Sequence, residues 1–340
     1  MPSVVEVFRG DLIESRHLVS AAVVRDDGTT LSTTGNPDLV AFWRSCAKPF
    51  QAAPLIVAGA DRAFGITDEQ LALACASHNG EPRHVALARR MLEQSGATEA
   101  DLVCGPHSSI NEEVAKAMTS RGEQPTKANN NCSGKHAGMI ALARHRQWGS
   151  AGYERPEHGV QRGCLEEVAR WTGVPAARLP FATDGCGVPT FALPLRAMAL
   201  AWARLAAAGE GRPVKGISAE DGAAAGRLFN AMRAHPFFIA GTGRLDTDLV
   251  EGCDRRIVAK VGAEGVYCAA IPELGLGIAL KVEDGASRCL NPALLGLLDL
   301  VAPDITPRLA SYRDQPITNT LGAKVGHVEA RMVLDRDASK

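Results

Sequence analysis

The chain has 340 residues, 46% of them hydrophobic and 22% charged, with a formal net charge of −1. That length builds a core of ordinary size, and the near balance of charge removes the basic footprint of a nucleic-acid binder. No apolar run reaches the length of a membrane span, and the start M-P-S-V-V-E-V-F-R-G-D lacks a secretory apolar region, so no membrane role and a cytoplasmic location are expected. Nine cysteines scattered over a long chain read as reduced thiols rather than a disulfide framework.

In chain order, H-L-V-S-A-A-V-V (17–24), the turn D-D-G (26–28) and T-T-L-S-T-T-G (29–35) form a hairpin pattern. T-D-E-Q (67–70) is a capping box ahead of L-A-L-A-C-A. The stretch 82–96 has helical periodicity and closes on Gly96. Helices are also expected over 136–148, 164–173 and 191–209, the last with Pro194 in its first turn. Polar, glycine-rich 207–216 reads as an exposed loop. Strands return at 265–272 and 276–285 around a short E-L-G turn, before a helix over 289–301 and a strand-like G-H-V-E-A-R-M-V (326–333). Strands at both ends with helices between predict an α/β (α+β) fold with one antiparallel sheet from the N- and C-terminal strands, flanked by helices. The expected organisation is a single catalytic domain over 1–340, its strands mainly in 1–40 and 260–335 and its helices in 45–255.

The chain has 28 arginines and only nine lysines, so lysines are enriched where a titratable amine is needed. R-S-C-A-K-P-F-Q (44–51) sets Ser45 three residues before Lys48, on one side of a helix start. Alone, that spacing also suits a helix cap with a surface lysine. C-A-S-H-N-G-E (75–81) adds Ser77 and Asn79 before a glycine turn, and K-V-G (260–262) adds Lys260. Their order follows the S-x-x-K, S-x-N, K-T-G series of penicillin-recognising serine proteins, with Val261 in place of threonine. A serine nucleophile without a histidine partner needs an amine able to take its proton, and paired amines supply one. N-N-N-C-S-G-K-H-A-G-M (129–139) gathers Cys132, Lys135 and His136 at a turn feeding a helix, and T-D-G-C-G-V-P-T (183–190) adds Asp184 and Cys186. Cys132, His136 and Cys186 could make a three-ligand zinc site with an open position; buried thiols in turns are the plain alternative. Glu81 suits capping of the next helix, or orienting a catalytic group. His78, His84 and His107 read as structural or exposed. The G-T-G-R of 241–244 lacks the lysine and spacing of a phosphate loop.

Together, R-S-C-A-K-P-F-Q, C-A-S-H-N-G-E-P-R-H, N-C-S-G-K-H-A-G-M, T-D-G-C-G-V-P-T, R-A-H-P-F-F-I-A-G and K-V-G-A-E-G-V-Y resemble the rhizobial-type L-asparaginases, over about residues 6 to 285. The resemblance implies a fold like serine β-lactamases and serine glutaminases, and hydrolysis of L-asparagine to L-aspartate and ammonia. It implies Ser45 with Lys48, and Ser77 with Lys260, as paired catalytic groups. It implies one zinc ion per chain on Cys132, Lys135 and Cys186, helping to hold substrate, and a homodimer. Ligand chemistry alone favours His136 over Lys135, since a lysine must lose its proton to bind metal. Arg44, His136 and Asp184 are the expected substrate-binding side chains, arginine suiting a carboxylate and aspartate an ammonium. Either Ser45 or Ser77 can be the nucleophile in such a scheme. The alternatives are a glutaminase, a β-lactam-type serine hydrolase, and a zinc-dependent amino-acid sensor without turnover.

Overall fold

The computed structural model describes residues 2–307 and 309–336. The strands are β1 (Ser3–Arg9), β2 (Leu12–Arg25), β3 (Thr30–Thr34), β4 (Val40–Phe42), β5 (Phe181–Thr183), β6 (Pro189–Pro194), β7 (Val258–Gly262), β8 (Val266–Ile271), β9 (Leu276–Val282), β10 (Pro316–Thr318), β11 (Lys324–Arg331) and β12 (Asp335–Arg336). The helices are α1 (Lys48–Val57), α2 (Ala60–Ala63), α3 (Asp68–Ala74), α4 (Pro82–Gln94), α5 (Glu112–Ser120), α6 (Ser133–His145), α7 (Gly159–Thr172), α8 (Leu195–Gly209), α9 (Ala219–Ala234), α10 (Pro236–Ile239), α11 (Leu245–Gly252), α12 (Leu290–Val301) and α13 (Ala310–Arg313). They fall into two compact units, one drawn from Met1–Cys46, Leu193–Ala206 and Asp248–Lys340, the other from Ala47–Ala192 and Ala207–Thr247. Among the described residues no helix is long and apolar enough to cross a membrane.

The first unit is built on an antiparallel sheet in the order β10-β11-β1-β2-β9-β8-β7, with β3 also on β2 and β12 on β3. The first strand pairs with the C-terminal β11, and β2 with β9, so both ends of the chain share one sheet, as the strand pattern predicts. In β2 the apolar run Val19–Val24 is buried at every position, the mark of a strand covered on both faces. Leu290–Val301 is rich in leucine and forms α12, which packs on β1, β8, β9 and β11.

The second unit is mainly helical. Helix α1 packs on α6, α7 and α9, while α3 packs on α6 and α9 and α4 on α6. Helix α6 is buried from Ser133 to Ala143, so it has no polar face to reveal it as amphipathic. Thr67 caps α3 with Gln70 answering, as T-D-E-Q predicts. One expectation differs. The helix expected from 191 begins at Leu195, and Pro189–Pro194 forms β6, pairing with β5 from Phe181↔Phe191 to Thr183↔Pro189. Thr190 and Phe191 favour a strand, and pairing outweighs the helical periodicity that continues from Leu195. The helix expected from 136 starts at Ser133, because Asn130 Oδ1 accepts from Cys132 N (2.9 Å) and turns the chain early. All nine cysteines are buried and free.

Candidate active site

In the first unit, Arg44–Ala47 is a 3-10 turn whose first residue has φ of 52°, a strained value for a side chain other than glycine. Ser45 follows it, half-buried. The turn is tied to β7: Cys46 Sγ donates to Lys260 O at 2.9 Å, and Trp202 Nε1 donates to Cys46 O at 3.2 Å. Gly262 permits this approach, since a Cβ there would lie 3.2 Å from Cys46 Sγ and from Trp43 O. The glycine of K-V-G therefore has a packing cause. Lys260 is fully buried inside β7, and its Nζ donates to Val261 O at 3.1 Å. Arg44, Ser45 and Lys260 thus come from two segments joined by the Cys46 bond.

In the second unit, Lys48 opens α1 and is 1% exposed. Its Nζ donates to Ser77 Oγ at 2.9 Å and makes a short bond to Ala76 O. Ser77 lies just beyond α3 in an extended turn bonded on both sides. Its N–H donates to Ile239 O (3.0 Å), that of His78 to Asn131 O (3.2 Å) and that of Asn79 to Ala240 O (2.7 Å). Behind this turn, Glu81 Oε1 accepts from Thr242 N (2.8 Å) and Asn79 Nδ2 (3.0 Å), while Oε2 accepts from Thr242 Oγ1 (3.0 Å). Burial raises the Glu81 pKa, but these donors outweigh it and hold the carboxyl below its ordinary value. Gly241, at φ of 113°, must be glycine, because a Cβ would come within 2.6 Å of Glu81 Oε1.

His78 and His84 are fully buried and stacked with centroids 5.0 Å apart. His78 Nδ1 accepts from Gly80 N (3.1 Å) and its Nε2 meets Ser133 Oγ (3.0 Å), whose own proton goes to Ala128 O. His84 Nδ1 accepts from Glu81 N (3.2 Å), and Nε2 meets Phe237 O (3.0 Å). Burial lowers both pKa values, most strongly for His78. Both rings are structural, as the sequence suggests, and His107 is exposed.

Cys132, Lys135, His136 and Cys186 cluster at the start of α6. Lys135 Nζ donates to Cys186 Sγ at 3.1 Å. The Cys132 thiol and the Lys135 ammonium hold Cys186 far below the ordinary thiol range, against burial. Its hydrogen bond to Cys186 and burial push Cys132 well up. Burial would lower Lys135, but Cys186, Cys132 and Asp184 hold it above its usual value. Asp184 closes the β5–β6 turn, its N–H donating to Val188 O (2.8 Å) and its Oδ1 accepting from Gly185 N (2.8 Å).

The family model for L-asparaginase II matches residues 5–330. The chain belongs to the L-asparaginase II family. No curated protein sequence matches the chain. Among solved structures it is similar to Mglu in its native form in 4.3 M NaCl, with 17% identity, 84% of this chain and 60% of that chain covered, and a TM-score of 0.38. Mglu in its L-glutamate binding form gives 16%, 86%, 60% and 0.37. The octameric penicillin-binding protein homologue from Pyrococcus abyssi gives 13%, 90%, 80% and 0.31. The chain spans about 60% of the length of these Mglu chains.

In this asparaginase-family chain the thiol cluster fits a soft divalent metal in donor type, two sulfurs and an amine nitrogen. No group of three or more His, Cys, Asp or Glu side chains suited to a metal occurs among the described residues. Tyr153 Oη accepts from Val103 N (3.1 Å) and lies 2.7 Å from His136 Nδ1. Burial lowers the His136 pKa. Its buried Nε2 has no well-aligned hydrogen-bond partner among the described residues, though Cys186 lies near enough to act on the ring.

Sequence reasoning missed two side chains. Tyr153, which lies 2.7 Å from His136 Nδ1, carried no signal in an irregular stretch. Arg244 was passed over as part of a failed phosphate motif. Its Nη1 donates to Asn79 Oδ1 (2.9 Å) and Ser77 O (3.4 Å), both neutral acceptors, and among the described residues no carboxylate pairs with it. Arg244 is half-buried beside Ser77, a placement that nothing in the sequence signals.

Proposed function

We propose that the chain hydrolyses L-asparagine to L-aspartate and ammonia by two-step acyl transfer to a serine. The Lys48–Ser77 hydrogen bond, made by a buried lysine, carries the reading. Ser45 Oγ attacks the side-chain amide carbon, and Lys48 in its amine form takes the proton. The C–N bond breaks as that proton reaches the leaving nitrogen through Lys48 and Ser77, whose Oγ is on Nζ, with Lys260 as the second amine of the relay. Water then attacks the aspartyl ester and returns the serine hydroxyl. The strain at Arg44 supports Ser45 as nucleophile, because backbone strain collects at reacting groups. Backbone amides of the same turn are the source of oxyanion donors.

Four groups read the amino-acid end. Arg44 and Arg244 suit the α-carboxylate, Asp184 suits the α-ammonium, and His136 Nε2–H donates one hydrogen bond. Zinc would be held by Cys132, Lys135 and Cys186, and would supply a Lewis-acid anchor for substrate. The active form is a homodimer in the cytoplasm.

The test is ammonia release from L-asparagine, with L-glutamine alongside. Saturable release, slower from glutamine, is expected; one methylene is worth ~1–3 kcal/mol in such a pocket. Lys48→Met should lower kcat about 10²–10⁴-fold with the fold intact by circular dichroism. Near-normal turnover in that variant would sink the mechanism. Folded wild-type protein that binds asparagine and releases nothing would sink the activity.

A further inference from the structure

Remote in sequence from the asparaginase residues, Ser15, His17 and Asp284 form a complete proton-transfer chain. His17 Nδ1 lies 2.6 Å from Asp284 Oδ2, and His17 Nε2 lies 2.9 Å from Ser15 Oγ. Arg288 Nη2 donates to Ser15 Oγ at 3.0 Å, and Ala286 N donates to Asp284 Oδ1 at 3.1 Å.

With the imidazole neutral, the form a general base needs, each proton in this chain has one consistent place. The Ala286 amide and His17 hold the Asp284 carboxyl below its ordinary range, outweighing burial. An ionised Asp284 only accepts, so Nδ1 carries the imidazole proton and Nε2 keeps its lone pair. Arginine cannot accept, so Ser15 Oγ receives the Arg288 N–H and turns its own proton to Nε2. Serine hydroxyl to Nε2, with Nδ1–H to aspartate, is the arrangement that activates a serine. Arg288 adds a fixed positive charge on the oxygen that would become alkoxide.

The strand geometry supports a reactive reading over a purely structural tie. The pairing of β1 with β2 slips between Val7↔Ser15 and Phe8↔Ile13, leaving Glu14 as a bulge residue beside Ser15. Bulges re-aim side chains and collect beside active sites. A tie between β2 and the turn after β9 needs only His17 and Asp284. His17 is buried, whereas Ser15 is half-exposed and Arg288 is exposed, so reagent can reach the serine.

We propose that Ser15 is a second nucleophile, with His17 as general base and Asp284 as its orienting carboxylate, acting on small carboxylic esters. Ser15 Oγ attacks the ester carbonyl and its proton passes to His17 Nε2. The C–O bond to the alcohol breaks and that proton leaves with the alcohol. Water, giving a proton to Nε2, attacks the acyl-serine, and the proton returns to Ser15 Oγ. The sum is ester plus water to acid plus alcohol.

The test treats the full-length protein with p-nitrophenyl acetate and, separately, a fluorophosphonate, and maps adducts by peptide mass. With the fluorophosphonate, Oγ bonds phosphorus as the P–F bond breaks and the serine proton leaves with fluoride. The expected result is an adduct on Ser15 that persists in a Ser45→Ala/Ser77→Ala double variant. Ser15→Ala should lose that adduct and the matching p-nitrophenol release while keeping ammonia release from asparagine. His17→Gln should slow both about 100-fold or more. Asp284→Asn, at a half-exposed side chain, should slow them too, and covers the case that His17→Gln does not fold. Absence of a Ser15 adduct in folded wild type, or equal labelling of wild type and Asp284→Asn, overturns the proposal.

Discussion

Arg244→Gln isolates one contact to the substrate. In the structure Arg244 spends one nitrogen on Asn79 Oδ1 and Ser77 O, and no carboxylate neutralises it among the described residues. A carboxylate on the remaining donors would make charged hydrogen bonds worth about 1.5–3 kcal/mol. Losing them lowers kcat/KM for L-asparagine roughly 10–150-fold, at 1.4 kcal/mol per decade. Ammonia release is measured for L-asparagine and for its α-amide, which has no α-carboxylate. The introduced glutamine amide still offers an N–H to Asn79, so the Ser77 turn should persist. The loss should therefore fall on asparagine and leave the α-amide almost unchanged. An equal loss on both substrates would mean that Arg244 only props the turn. No loss on either would remove it from the site.

Glu81→Gln turns one acceptor oxygen into a donor facing donors, with Thr242 N, Thr242 Oγ1 and Asn79 Nδ2 all pointing at the carboxylate. Losing one charged bond should cost about 1.5–3 kcal/mol in urea unfolding; an unchanged midpoint would contradict the network. His78 and His84 are held neutral by burial, with folded pKa values below the ordinary ~6.5. Below that pH the unfolded chain binds protons that the folded chain refuses, so stability should fall as pH drops from about 6.5 toward the folded values. Urea midpoints at pH 8 and pH 5 test the sign, and His78→Asn should flatten the slope. Zinc binding at the thiol cluster has to displace a proton from Cys132 and one from Lys135, because both hold theirs in the metal-free arrangement. Added zinc should raise the melting temperature and acidify a weakly buffered sample, and Cys186→Ser should remove both effects.

Local chemistry settled much in advance. The capping box at Thr67 and the hairpin of β2 with β3 need only neighbours, and the structure has both. Strands at the two ends with helices between led to one antiparallel sheet, because an apolar strand at either terminus has to find partners in the same core. The runs that hold these serines, lysines and cysteines resembled one asparaginase family, and the family match agrees. Partnership was another matter. Spacing set Ser45 beside Lys48 but gave no sign that the Lys48 amine hydrogen-bonds Ser77, 29 positions on, which it does because α1 and the turn after α3 share one helical unit. Ligand chemistry preferred His136 to Lys135, and only the structure brings Tyr153, itself bonded by the Val103 amide, from other loops against the His136 ring. A residue type and its spacing limit which reactions are possible. Which hydrogen bond each polar group makes depends on buried neighbours brought from far along the chain, and tertiary packing decided that.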